Sequence, residues 1–484
     1  MESEKKLILD VNESPKKKGQ WIILAIQHVL AMFVACITVP AIVFQNVSVT
    51  IDGASVSLAG LMIAPTILSA GIGTLFYLFA TKRKSPMFLA SSFAYMDAMA
   101  VAIKVDAGET GNVNLWILPI GMFIVGLIYV LVAFLVKTFG TAWINKLLPP
   151  IVIGPVIMVI GLGLAGSAVG NLTGTLGAGY NWCYIIAGLV AMIVTALCAH
   201  YGKKTISLIP FVLGMCAGYI VAVLFTVFGY YIGGADYFRV VNFDPIVNNW
   251  TNITFESFIG LPRVLPYVAA VSKNVVPFSG THVLQALLIF APVSLVTICE
   301  HIGDHKNMSG VIDRDLIKEP GLSRTLIGDG VATALSGGLC GAANTTYGEN
   351  VAVVGVTKVA SVSVLMLACC FTIGLSFFSP LMTVVQTIPA CVTGGVSLIL
   401  YGFIAASGVK MLINEKIDFG NTKNIFVASV ILVAGIGGLA FTFGNPDAPV
   451  AKITSTAVAM ILGVCMNFML KDKKVEVVEE SKAE

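Results

Sequence analysis

Charge is what this chain lacks. Asp, Glu, Lys and Arg make up 11% of its 484 residues, hydrophobic residues make up 57%, and the mean hydropathy is +0.91. A soluble protein carries about 25% charged residues. With less than half of that, most of the surface must face lipid. No soluble domain stands apart: the longest stretch without a clear apolar span runs from about 233 to 282. A cleavable signal peptide is not expected, because the first apolar run (21–44) is too long and no small-residue cleavage site stands out. Reactive patterns are scarce too. No Ser–His–Asp or HExxH arrangement is found, so a membrane enzyme is not expected. The one G-x-G-x-x-G match, "GLGLAG" at 161–166, lies inside a span with no strand before it, and helix packing explains it.

Cysteine is not scarce, but its placement excludes a disulfide framework. Cys36, Cys183, Cys198, Cys216, Cys369, Cys370 and Cys465 lie in apolar segments and read as small buried hydrophobes. The sequon Asn252-Ile-Thr254 reads as chance, and the tail "KDKKVEVVEESKAE" as a charged, disordered end.

What the chain has is spans. A crossing helix needs roughly 20 apolar residues. Fourteen segments qualify: about 20–45, 55–80, 86–103, 113–136, 147–169, 181–199, 206–232, 283–304, 324–342, 346–357, 360–379, 385–406, 424–443 and 449–470. The third and tenth are short and interrupted. With both termini placed in the cytoplasm, 24 of the 29 lysines and arginines fall inside, and only Lys104, Arg239, Arg263, Lys273 and Lys452 fall outside. One span more or fewer would scramble that bias.

The spans repeat. At a constant offset of 240, "LPPIVIGPVIMVIGLGLAGS" (148–167) matches "IPACVTGGVSLILYGFIAAS" (388–407) at Pro149/Pro389, Gly154/Gly394, Val156/Val396, Ala165/Ala405 and Ser167/Ser407. These are spans five and twelve. Seven spans is an odd number, so the second copy inserts upside down, as in secondary transporters with a site at the repeat interface. Spans three and ten pair likewise. "ASSFAYMDA" (90–98) and "NTTYGENVA" (344–352) each run Ser/Thr, aromatic, small residue. Ser/Thr followed by an aromatic favours extended backbone, so each predicts a short strand leading into a half-helix. Irregular backbone at membrane depth must be buried in protein or line a cavity.

Ionisable groups within spans concentrate in "CEHIGDHK" (299–306) and at Glu349, with Asp97 in span three and His28 in span one. Such groups are expensive in lipid and read as functional. Glu300 and Asp304 share a helical face four residues apart. His301 and His305 have HxxxH spacing, but no third ligand is apparent, and His305 and Lys306 read as the cytoplasmic helix end. No metal is expected. Glu349 stands where a half-helix should start, among unpaired N–H groups. Two carboxylates accept hydrogen bonds, and half-helix starts at Phe93 and Gly348 donate them. An anion would want Arg or Lys here, and a metal would want a denser oxygen cage. A flat molecule with alternating N–H and C=O edges fits better, flanked by Phe93, Tyr347 or Tyr401. Uracil has this pattern.

"QHVLAMF", "SSFAYM", "CEHIGDHKNMSGVI", "NTTYGENVAVVGVTK" and "GGVSLILYGFIAASGVK" resemble bacterial uracil permeases of the nucleobase–ascorbate transporter family, over about 20–470. The family signature in span ten is matched by Glu349, Asn350, Thr357 and Lys358, while Ala352 stands where glycine is usual. Glutamate at 349 looks like the uracil branch; purine and ascorbate members tend to have glutamine.

The resemblance implies an all-α polytopic membrane protein with two inverted seven-span repeats. A cytoplasmic tail (1–19) precedes a core domain of spans 1–4 (20–136) and 8–11 (283–379). A gate domain holds spans 5–7 (147–232) and 12–14 (385–470), with an external loop at 233–282 and a cytoplasmic tail at 471–484. It implies that Glu300 and Glu349 hold ring N–H groups, that Phe93 and Gly348 meet the carbonyls, and that Tyr401 approaches from the gate. Tyr347 flanks the site, His28 and Asn350 support it, and Glu300 and Asp304 carry the coupling proton. Asp304 replaces a histidine linked to coupling in some uracil permeases. The expected activity is proton-coupled uracil import across the cell membrane, without a cofactor. The alternatives are a purine (xanthine or urate) carrier of the same family, or an anion transporter or channel of the same architecture. The expected partners are the small substrate and membrane lipid, with a second copy of the chain as one option and no nucleic acid.

Overall fold

A computed structural model describes residues 7–45, 47–51, 53–107, 112–174, 180–203, 206–251, 253–339, 341–445 and 448–470. The expectations for residues 1–6, for Asn252 and for the 471–484 tail lie outside them.

In hydrocarbon every backbone N–H and C=O must find an internal partner, so the apolar runs fold as helices. The chain order begins α1 (Lys18–Val43), β1 (Ser48–Ile51), β2 (Ala54–Ser57), α2 (Leu58–Ala80), β3 (Leu89–Ser91), α3 (Met96–Ala102) and α4 (Ile117–Phe139). It continues with α5 (Ala142–Leu147), α6 (Pro150–Gly163), α7 (Ala165–Thr173), α8 (Trp182–Tyr201), α9 (Pro210–Leu224), α10 (Asp244–Thr251) and α11 (Leu265–Val271). The second half holds α12 (Thr281–Ile312), α13 (Leu322–Leu339), β4 (Asn344–Thr346), α14 (Gly348–Thr357), α15 (Val362–Ser376) and α16 (Ser379–Gln386). Last come α17 (Ala390–Asn414), α18 (Thr422–Ile436), β5 (Phe441–Asn445), β6 (Ala448–Ile453) and α19 (Ser455–Met469).

Among the described residues, eight helices are long and apolar enough to cross a membrane: α1, α2, α4, α8, α12, α17 and the runs Pro150–Thr173 and Pro210–Ile232. Three shorter apolar helices, α15, α18 and α19, have 15 residues each.

Several segments differ from their expected form. The hairpins β1–β2 and β5–β6 take up the start of the second span, the end of the thirteenth and the start of the fourteenth, so α2, α18 and α19 cover less than those spans. The fifth span is broken at Leu164, where the ladder tightens: Leu164 N–H donates to Gly161 C=O (3.3 Å) and Ser167 N–H to Leu164 C=O (3.0 Å). Glycines 161, 163 and 166 weaken the helix there. The eighth span was expected to end at 304, but α12 runs on to Ile312 because Met308 and Ile312 are buried. It stops at Asp313, whose φ of 59° is left-handed.

The two interrupted spans meet. β3 and β4 pair antiparallel in the register Leu89↔Thr346, Ala90↔Thr345 and Ser91↔Asn344. Ser92 N–H donates to Ala343 C=O (2.7 Å), and Tyr347 N–H to Phe88 C=O (3.0 Å). Hydroxyls serve the outer groups: Thr74 Oγ1 accepts from Leu89 N–H (2.9 Å), and Thr333 Oγ1 donates to Asn344 C=O (2.7 Å). The extended backbone is thus satisfied at depth without solvent.

Around this ribbon α13 packs against α2 and α4, while α17 packs against α6, α7 and α8. Small residues allow these approaches. A Cβ on Gly161 would lie 2.3 Å from the Tyr401 carbonyl oxygen, and one on Gly408 would lie 2.4 Å from that of Gly154. The segments matched at the 240 offset therefore lie backbone to backbone. The 233–282 stretch folds into short helices and docks on the body, with Val275 bridging Val113 and Ile259 bridging Phe378.

Candidate functional site

A cavity of about 380 Å³ lies where α12, the β3–β4 ribbon and α14 face α6 and α17. Phe93, Glu300, Asp304, Tyr347, Gly348 and Glu349 all line it. It runs past Val311, Gly355 and Val356 on one side and past Phe403, Ser407 and Lys410 on the other. Those residues belong to the C-terminal halves of α12, α14 and α17, so the cavity extends toward one end of the bundle.

Local geometry explains each placement. Tyr347 has extended backbone (φ −120°, ψ 108°) and caps α14. Gly348 then starts the helix, and a Cβ there would meet only Asp304 Oδ1, at 3.5 Å. The missing side chain therefore opens backbone to the cavity rather than serving packing. Glu349, in the first turn, is 8% exposed, and Asp304 is 5% exposed. Asp304 Oδ2 accepts from Thr346 Oγ1 (2.8 Å), which ties α12 to the ribbon. Glu300 Oε2 and Glu349 Oε1 are buried with no hydrogen-bond partner in the protein. A buried polar atom left unpaired is costly, so these two oxygens are free to hold a ligand.

Tyr401 does not line the cavity. It is buried beside it, and its ring meets Phe93 edge-on at 5.5 Å and 78°. His28 and Asn350 are likewise buried off the cavity. The first half-helix starts at Met96, three residues later than expected, because Met96 N–H first closes a turn onto Phe93 C=O (3.2 Å). Asp97 is exposed and lines a separate small pocket of about 20 Å³ with Phe93, Gly163 and Ser455.

The reading of His305 as a helix end entering water is overturned. It is fully buried, its Nδ1 bonds to His301 C=O (2.7 Å), and its Nε2 to Tyr77 Oη (2.6 Å). His301 bonds through Nδ1 to Asp329 Oδ2 (2.7 Å) and through Nε2 to Thr325 Oγ1 (3.0 Å). Every ring nitrogen of the HxxxH pair is occupied by protein, so the rings hold α12 in place rather than a metal. Asp329, fully buried on α13, went unnoticed in the sequence. The signal was there in "GDG" at 328–330: a lone acid in an apolar span, with Tyr77 against Gly328 and Tyr129 against Gly330.

A model of the Permease family matches residues 19–443. The uracil permease of Bacillus caldolyticus is 38% identical over 465 residues, covering 96% of this chain and 95% of that one. The uracil permease of Bacillus subtilis is 34% identical, covering 99% of each chain. Among solved structures, the transmembrane domain of a cyanobacterium bicarbonate transporter, BicA, aligns over 94% of this chain and 99% of that one, with a TM-score of 0.56 and 12% identity. That likeness concerns the fold. With the family model spanning most of the chain, and relatives above 30% identity along nearly its whole length, the protein belongs to the Permease family.

Proposed function

We propose that this permease imports uracil with a proton across the cell membrane by alternating access. One observation carries the reading: two carboxyl groups, half-buried Glu300 and buried Glu349, each present a buried, unpartnered oxygen at one cavity, beside the open backbone of Gly348. Ring N–H groups would donate to the carboxylates and ring carbonyls would accept from the backbone at Gly348 and Phe93, with Phe93 and Tyr347 against the flat faces. The relatives named as uracil permeases support this substrate.

In this reading fourteen spans form two inverted repeats. The core (20–136, 283–379) carries the substrate and the gate (147–232, 385–470) closes over it, with both termini cytoplasmic. The cavity then faces the cytoplasm, since it runs toward the end where Lys358 meets the N-terminal segment. Glu300 takes the coupling proton and Asp304 helps release it. Protonation relieves two like charges at close quarters and permits binding; release inside resets the carrier. His28 and Asn350 support the site from behind.

The test is uptake of labelled uracil into proteoliposomes with an imposed pH gradient. Uptake should accelerate when the side from which uracil enters is acidic, and indifference to the gradient would sink proton coupling. Competition by xanthine, thymine and 5-substituted uracils separates the pyrimidine from the purine reading.

A further inference from the structure

The N-terminal segment before α1 is no loose tail. Residues 8–14 run alongside 358–363, the connection from α14 to α15 and the first residues of α15, with Leu9 and Val359 in a parallel bridge. Ile8 N–H donates to Lys358 C=O (2.7 Å), Ala360 N–H to Leu9 C=O (2.9 Å) and Val362 N–H to Val11 C=O (3.0 Å). Ser361 Oγ donates to Glu13 C=O. Ser14 Oγ donates to Ser363 Oγ (2.8 Å), and Trp21 Nε1 to Ser363 C=O (3.1 Å). Val11 is 2% exposed and belongs to the core. Asp10 pairs with Arg314, just past the end of α12.

This segment therefore touches the far ends of both helices that carry the candidate site. α14 has ten residues, a length that is marginal for a helix on its own. It ends at Lys358 in left-handed backbone (φ 56°), a conformation that a residue with a side chain rarely adopts. Two N–H groups of the segment, those of Ile8 and Leu9, converge on the Lys358 carbonyl.

We propose that residues 8–14 are a strap that clamps the C-terminal end of α14 to the end of α12, and so holds Glu349 in register with Glu300. The strap positions the site from its far end and touches no substrate. Its effect on uracil affinity rests on the function proposed above; its effect on α14 does not.

Val11→Asp in the full chain places a charge in a buried slot and should expel the strap. Two readouts follow in reconstituted protein. Hydrogen exchange at Val362, whose N–H donates to Val11, reports whether the strap has left. Exchange at Lys358, whose N–H donates to Val354 C=O (2.9 Å), reports whether α14 has loosened. Both should quicken while α2 stays protected, and KM for uracil should rise about five- to tenfold. Quickened exchange at Val362, with Lys358 and KM unmoved, overturns the proposal. Should the variant not reach the membrane, the Ser14→Cys/Ser363→Cys pair decides. Oxidised, it ties the strap to the first turn of α15 and should keep wild-type KM and turnover, because the strap moves as one body with the α14–α15 connection. Uptake lost on oxidation and restored by reductant would mean that the strap must leave during transport. If the wild type takes up no uracil, the function reading fails, and exchange at Lys358 still judges the strap.

Discussion

The two crossovers of the ribbon share a backbone plan and differ in chemistry. "SSFAY" and "TTYGE" (91–95 and 345–349) both run from strand through an aromatic and a small residue into a short helix. At the last position one crossover places Tyr95 and the other Glu349. Tyr95 turns away into protein: its hydroxyl bonds Thr297 Oγ1 (2.8 Å) and its ring stacks on Phe290 at 6.1 Å. Glu349 turns into the cavity and keeps a buried oxygen unpaired. One backbone plan thus supplies two half-helix starts, and only one of them places an unpaired carboxyl oxygen at the candidate site. The other contributes Phe93 as an aromatic wall.

Glu349→Gln should break this comparison most severely. It puts an amide N–H₂ where a carboxyl oxygen stood and leaves the shape nearly unchanged. Losing that hydrogen bond and leaving the ring N–H unpaired predicts a roughly 100-fold rise in KM for uracil. Uptake kinetics at wild-type abundance check this, and normal uptake would take Glu349 out of recognition.

Gly348→Ala should come next. The added methyl meets nothing in the protein closer than Asp304 Oδ1 at 3.5 Å, so the fold should hold. The methyl would instead occupy the approach of a ligand to the backbone, raising KM about tenfold without lowering thermal stability. The mirror change, Ala94→Gly, should leave KM near wild type. Equal effects from both changes would mean that the two crossovers share the ligand evenly.

How much of this was legible in the sequence follows from scale. Strands β3 and β4 were readable because Ser/Thr next to an aromatic states a local preference, and the α14 start at Gly348 followed from it; the hairpins β1–β2 and β5–β6 were not, because they lie in or beside apolar runs that read as helix. The α3 start was displaced because Phe93 to Tyr95 form a turn, which residue types alone do not distinguish from a first helical turn. His305 was misjudged because its burial depends on Tyr77 of α2, which lies 228 residues away in sequence. Asp329 was missed for a similar reason: its partner His301 is on another helix. The strap was invisible because its bonds join backbone at 8–11 to backbone at 358–362, and no side-chain pattern announces such pairing.

Tyr95→Phe should act on stability alone. It deletes the hydroxyl bonded to Thr297 and costs about 1 kcal/mol, read as a lower unfolding temperature in detergent. KM for uracil should not move. A changed KM would show that this crossover touches the substrate by more than Phe93.

The smallest effect is expected outside the membrane, where the two halves meet again. Lys84, on the loop leading to β3, pairs with Glu319, on the loop between α12 and α13. The lysine holds the Glu319 carboxyl below its usual range. A depressed carboxyl stabilises the fold above its unfolded pKa, and that contribution fades as pH falls through the folded value. Both side chains are exposed, so water and salt screen the pair. Lys84→Ala should therefore leave uptake unchanged at neutral pH, and what little stability it removes should vanish in acid or in high salt. A large loss of uptake at neutral pH would mean that these loops, and not only the ribbon, couple the halves.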